Sequence, residues 1–154
     1  MRITLVLIGK TETGFVSEGI KEYENRLKHY VKFEIIILPA LKKIKNLSIE
    51  MQKKKESEFI ESNIDLKSNI VLLDEIGKEY TSSGYAEWLN KQINAGTDIT
   101  FVVGGAYGFS DEMRKKYPKI ALSKMTFSHQ MVRLFFVEQI YRAFTILKGE
   151  NYHH

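Results

Sequence analysis

Most of the side chains able to act on a ligand lie between Ala121 and His154: Ser123, Lys124, Thr126, His129, Arg133, Arg142, Tyr152 and His153. They supply hydroxyls, cations, a phenol and imidazoles. Such groups hold polar or anionic ligands, and a histidine titrates near neutrality and can move a proton. Several other chemistries are missing. No Ser–His–acid motif, paired-His zinc spacing or Ca²⁺ loop occurs. The absence of cysteine removes thiolate nucleophiles, thiolate metal sites and disulfides. Asp74-Glu75 suits either Mg²⁺ or a hydrophilic turn, and no metal site is expected.

These residues need a frame. Ile3–Ile8, Phe33–Leu38, Ile70–Leu73, Ile99–Val103 and Ile120–Leu122 are short apolar runs that read as buried strands. Between them lie helical patterns: Phe15 to about His29, with Phe15, Ile20, Tyr23 and Leu27 near one face, and a segment capped by Ser48 with Met51, Phe59 and Ile60 as apolar points. Ser82 or Ser83 can cap a third helix that Gly96 stops, and Ser110 caps a short fourth before Pro118. The last helix runs from about His129 to Lys148. This alternation predicts a single α/β domain over 1–154, with a mostly parallel sheet flanked by helices.

In open α/β sheets, ligands bind at the carboxyl ends of strands. Three such ends are Leu73-Asp74, Val103-Gly104-Gly105 and Leu122-Ser123. The Gly104-Gly105-x-x-Gly108 turn serves either as a place where backbone approaches a ligand or as a tight strand-to-helix turn. It is not the dinucleotide fingerprint, whose glycine spacing and later acid are both missing. Gly9-Lys10-Thr11 is not a P-loop end either, because Thr4 stands where a glycine is needed.

At roughly 100° per residue, Phe136, Val137, Ile140, Tyr141, Phe144 and Leu147 fall within about 80° of Arg133. Arg133 therefore lies in the apolar stripe and must snorkel, pair or face a site. A last helix that doubles as an oligomer interface resolves this. Arg142 is on the polar face, where Glu138 is an ordinary surface partner. His129 suits a structural or a catalytic role. Tyr152-His153, taken alone, is a frayed tail.

The net charge of +4 and pI of about 9.1 favour polyanionic partners. Lys42, Lys43 and Lys45 with Lys53, Lys54 and Lys55 read as a solvated loop and helix instead of a dedicated site. The N-terminal apolar run is too short for a signal peptide, and no run reaches the roughly 18 apolar residues of a membrane span. A cytoplasmic protein without membrane contact is expected.

Together, Leu73-Asp74 with Gly77-Lys78, Phe101–Gly108, Leu122–Arg133, Glu138–Phe144 and Gly149–His153 resemble the ribosomal RNA large-subunit methyltransferase H family, small SPOUT-type methyltransferases. The order and spacing fit over essentially the whole chain, and the C-terminal motifs are the specific ones. One departure is Ser128, where the family usually has Pro, which implies a looser loop.

The resemblance implies a SPOUT-type fold with a C-terminal trefoil knot, the last helix tucked under the loop after the fourth strand. It implies S-adenosyl-L-methionine held by Leu73, Gly104, Gly105, Gly108 and the loop Leu122, Ser123, Lys124, Met125, Thr126 and Phe127. The reaction implied is N3-methylation of a pseudouridine in a 23S rRNA stem-loop of the ribosome. The assembly implied is a homodimer in which each site is completed by the partner's tail. Arg142, Tyr152, His153, His129 and Arg133 are then the candidate catalytic residues. Two other readings stay open: a SPOUT enzyme acting on another RNA such as tRNA, and a non-catalytic RNA- or ribosome-binding protein.

Overall fold

A computed structural model describes residues 1–12 and 14–154. The chain runs β1 (Arg2–Ile8), α1 (Phe15–Leu27), β2 (Lys32–Leu38), α2 (Ile49–Ser62), β3 (Asn69–Glu79), α3 (Ser82–Asn94), β4 (Ile99–Val103), α4 (Asp111–Lys116), β5 (Lys119–Ala121) and α5 (His129–Leu147). The sheet order is β2-β1-β4-β3-β5 and every pairing is parallel. All five strands therefore end on one side of the molecule.

Alternation along each strand sends side chains to opposite faces. Leu5, Val71 and Phe101 go to one side, where Leu89, Phe136, Val137 and Ile140 from α3 and α5 cover them together with α1. Val6, Leu72 and Val102 go to the other, against Ile60 of α2 and Phe109 and Met113 around α4. Burying each such side chain stabilises the fold by about 1.5–3 kcal/mol. The Phe101 and Phe136 rings meet edge-on at 4.7 Å, fixing α5 across the sheet. Phe15 and Met51, expected on the apolar faces of α1 and α2, are exposed instead.

Two local differences from the sequence expectations have clear causes. β3 does not stop at Leu73. Its pairing with β5 jumps from Leu73↔Ile120 to Lys78↔Ile120, so Asp74–Gly77 bulges out and the strand resumes to Glu79. Gly77 permits this, because a Cβ there would sit 2.6 Å from the Ile120 backbone. α3 begins at Ser82 because Thr81, rather than either serine, is its cap, accepting the Gly84 N–H at 3.0 Å. Ser48, Ser110 and Ser128 cap α2, α4 and α5. The departure at Ser128 thus supplies a cap, Met131 N–H to Ser128 Oγ at 3.2 Å, that proline has no hydroxyl to make.

Candidate active site

A cavity of about 370 Å³ opens at the carboxyl ends of β3, β4 and β5, within the roughly 300–1,000 Å³ common for small-molecule sites. Leu73 forms part of its floor, Gly104, Gly105 and Gly108 one wall, and Leu122, Ser123, Met125, Thr126 and Phe127 the opposite wall. Lys124 is exposed and does not line it. His129 and Val132, in the first turn of α5, close the rim.

The glycine wall is built by close packing. A Cβ on Gly104 would lie 3.2 Å from the buried Phe109 ring, and one on Gly105 would lie 2.6 Å from a Glu56 oxygen. Gly108 adopts φ +77° and its N–H closes a turn onto Gly105 O at 3.0 Å. Glu56 Oε1 accepts the Gly105 N–H at 2.9 Å, and Ser57 Oγ accepts the Ser110 N–H at 3.0 Å. Burial pushes the Glu56 carboxyl above its usual range, opposed by the Gly105 hydrogen bond. On the other wall, Ser123 Oγ accepts the Met125 N–H at 3.0 Å, shaping the loop.

Asp74 is also at the cavity, but Arg114 of α4 holds it through Nε at 2.6 Å and Nη2 at 3.2 Å. Its cationic partner is thus a side chain. Among the described residues no group of three or more His, Cys, Asp or Glu is arranged to hold a metal ion. Neither Glu56 nor Arg114 stood out in the sequence. Their partners are far along the chain, and only the fold brings them together.

A second cluster forms where the tail folds back on α5. Gly149, at φ +68°, ends the helix, and Glu150 N–H returns to Thr145 O at 2.9 Å. Tyr30 donates its hydroxyl to Glu150 at 2.6 Å. The tail is therefore docked, not frayed. Tyr23 and Tyr152 hydroxyls lie 3.1 Å apart, and Tyr152 donates to Glu138 Oε1 at 2.9 Å. Arg142 donates to the same oxygen from Nε and Nη2 at 3.1 and 2.5 Å, and its guanidinium lies 4.7 Å from the Tyr152 ring centre. His153 Nδ1 is 3.4 Å from Arg142 Nη1. Burial, then the bonds to Tyr23 and Glu138, push the Tyr152 phenol well above its ordinary range, so it stays protonated at neutral pH.

The structure thus separates the five candidate catalytic residues. His129 is on the cavity rim, whereas Arg142 is thirteen residues on, roughly 20 Å along the helix axis, with Tyr152 and His153 folded back against it. Arg133 joins neither group. It is fully buried. It donates to Ile8 O at 2.7 Å, Gly9 O at 3.0 Å and Thr11 Oγ1 at 3.1 Å. Its place in the apolar stripe is explained within one chain, by carbonyls at the end of β1, without an oligomer interface.

The sequence comparisons agree with this geometry. Residues 1–153 match the family model described as "Predicted SPOUT methyltransferase". Ribosomal RNA large subunit methyltransferase H of Christiangramia forsetii is 55% identical over 100% of this chain and 99% of its own length. The proteins of the same name from Parabacteroides distasonis and Cytophaga hutchinsonii are 52% and 47% identical, again over 100% of this chain and 99% or 100% of theirs. A glycine-walled cavity at three parallel strand ends and a full-length family match together place the chain in the SPOUT methyltransferase family.

Proposed function

We propose that this protein transfers a methyl group from S-adenosyl-L-methionine to N3 of a pseudouridine in a stem-loop of 23S rRNA, acting on the ribosome in the cytoplasm as a homodimer. The observation that carries the reading is the pairing of the glycine-walled cavity with a docked Arg142–Tyr152–His153 cluster. The near full-length likeness to proteins named ribosomal RNA large subunit methyltransferase H supports the RNA substrate. The same reading includes a trefoil knot, with α5 passing beneath the loop after β4.

The cavity suits the methyl donor. Gly104, Gly105 and Gly108 let backbone amides and carbonyls approach closely, while Leu73, Leu122 and Phe127 offer apolar surface. Bound there, S-adenosyl-L-methionine would supply an electrophilic methyl group on a sulfonium. The protein's task is then to hold N3 in line with that methyl and let the N3 proton leave, so positioning accounts for most of the rate. Arg142 is a permanent cation, raised further by Glu138, and suits a nucleotide phosphate. The Tyr152 ring suits stacking on the base, held in place by its hydroxyl's hydrogen bond to Glu138. Water or the His153 imidazole takes the proton.

The spacing supports the dimer. Within one chain the cavity rim at His129 and the Arg142 backbone are about 20 Å apart along α5, too far to meet on one nucleotide, whereas a second copy brings its cluster to the first copy's cavity. A cleft of about 260 Å³ lined by Tyr85, Phe127, Phe135, Phe136 and Gln139 leaves apolar surface on α5 for that partner. The test is mass spectrometry of 23S rRNA from a strain lacking the protein. Loss of one methyl from a single pseudouridine is expected. Unchanged 23S rRNA with altered tRNA would move the activity to another RNA, and no altered RNA together with no donor binding would leave a binding module.

A further inference from the structure

The positive charge of this protein is concentrated in one segment. Residues 42–55 hold six lysines against one acid, Glu50, a net +5 where the whole chain carries +4. The rest of the chain is thus nearly neutral. In sequence these lysines look like an ordinary solvated surface. The fold gives them a place.

Because the sheet is wholly parallel, the connection leaving β2 emerges on the same side as the loops that build the cavity. Lys42, Lys43 and Lys45 are exposed on that connection. It leads into α2, and α2 is bonded to the glycine wall itself, through Glu56 to Gly105 and Ser57 to Ser110. Lys53 stands three positions before Glu56, on the same helix face one turn nearer the N-terminus. Lys54 and Lys55 are exposed beside it. Among the described residues none of the six lysines forms an ion pair. Their charges are therefore available to a partner.

We propose that residues 42–55 form the surface on which the phosphate backbone of the substrate RNA docks, beside the methyl-transfer cavity. The proposal rests on the RNA-methylation reading above and adds where the RNA lies. Unpaired lysines displace counterions from phosphates and give affinity without sequence preference. Sequence choice is left to the cluster that grips the target nucleotide. An anionic membrane also attracts lysines, but a membrane-bound helix needs a free apolar face. Ile60 and Phe59 of α2 are packed against the core, and the exposed Ile49 and Met51 leave only a small apolar surface at its first turn.

The experiment compares full-length wild-type protein with two triple variants, K42Q/K43Q/K45Q and K53Q/K54Q/K55Q. Thermal unfolding and calorimetric S-adenosyl-L-methionine binding are measured alongside KM and kcat on ribosomes across a potassium chloride series. Both variants are expected to keep their melting temperature, donor affinity and kcat. Their KM is expected to rise roughly tenfold or more, with the log–log salt slope shallower by about 2–3. Wild-type KM and slope in both variants would overturn the docking surface. So would lysine-dependent binding to phosphatidylserine vesicles with RNA methylation unchanged. If wild-type protein methylates no RNA, the methyl-transfer reading fails. Filter retention of ribosomal RNA by wild type but not by the variants still upholds the docking surface, and equal retention by all three overturns it.

Discussion

Replacing Arg133 with alanine separates a structural from a chemical role for the most unusual residue of α5. The guanidinium is fully buried and makes three hydrogen bonds, to Ile8 O, Gly9 O and Thr11 Oγ1. Hydrogen bonds to a charged group contribute about 1.5–3 kcal/mol each. Burying the guanidinium costs several kcal/mol and offsets much of that. Burial also lowers its proton affinity, opposed by Glu12, and Nε has no partner among the described residues. Truncation relieves the buried charge but orphans two carbonyls and opens a void. The net loss is expected at about 2–4 kcal/mol, or about 5–15 °C in melting temperature for a chain of this size. Arg133→Lys keeps the charge but not the planar fork, so an intermediate loss is expected. The assay pairs thermal unfolding with turnover measured well below the melting point. Reduced stability with near-normal turnover per folded molecule is the expected result. An unchanged melting temperature with abolished turnover would rule out the structural role and place Arg133 at the reacting centre.

Arg142→Ala and Tyr152→Ala are expected to fold and to bind S-adenosyl-L-methionine as wild type does, while methyl transfer falls about 100-fold or more through lost positioning; calorimetry with single-turnover assays decides, and normal turnover in both would show the nucleotide lies elsewhere. Gly105→Ala places a Cβ 2.6 Å from a Glu56 oxygen and drives that carboxylate off the Gly105 N–H. A stability loss of about 1.5–3 kcal/mol and weaker donor binding should follow, read by denaturant titration and calorimetry. Glu56→Gln keeps an acceptor for Gly105 but removes the charge. Because burial raises the Glu56 pKa, the wild-type contribution is fully present below the ordinary carboxylate pKa and is lost as pH rises through the raised one. The variant should therefore gain stability relative to wild type as pH rises above about 4, and parallel melting curves would contradict this.

The strands were legible because parallel, buried strands are continuous apolar runs. Ile99–Val103 occupies the bounds expected of it. The cavity loops were legible as strand ends, and the structure gathers all of them except Lys124. Less legible was anything set by distant backbone. Arg133 was visibly misplaced on its helix, yet the acceptors that explain it lie more than 120 positions away. The resumption of β3 depends on Gly77 touching Ile120, a contact without a local signature. Glu56 is one acid among many on a charged helix until the fold sets it under Gly105. The docked tail depends on Tyr23 and Tyr30 of the N-terminal half, so Tyr152 and His153 show no order in sequence.

Methyl transfer to pseudouridine N3 can be read directly from the product. Purified protein incubated with methyl-labelled S-adenosyl-L-methionine and ribosomes from the deletion strain, followed by nucleoside mass spectrometry, tests it most directly. One labelled methyl is expected on N3 of a single pseudouridine of 23S rRNA, lost in the Arg142→Ala variant. Label on another base, on tRNA alone or on no nucleoside would contradict it.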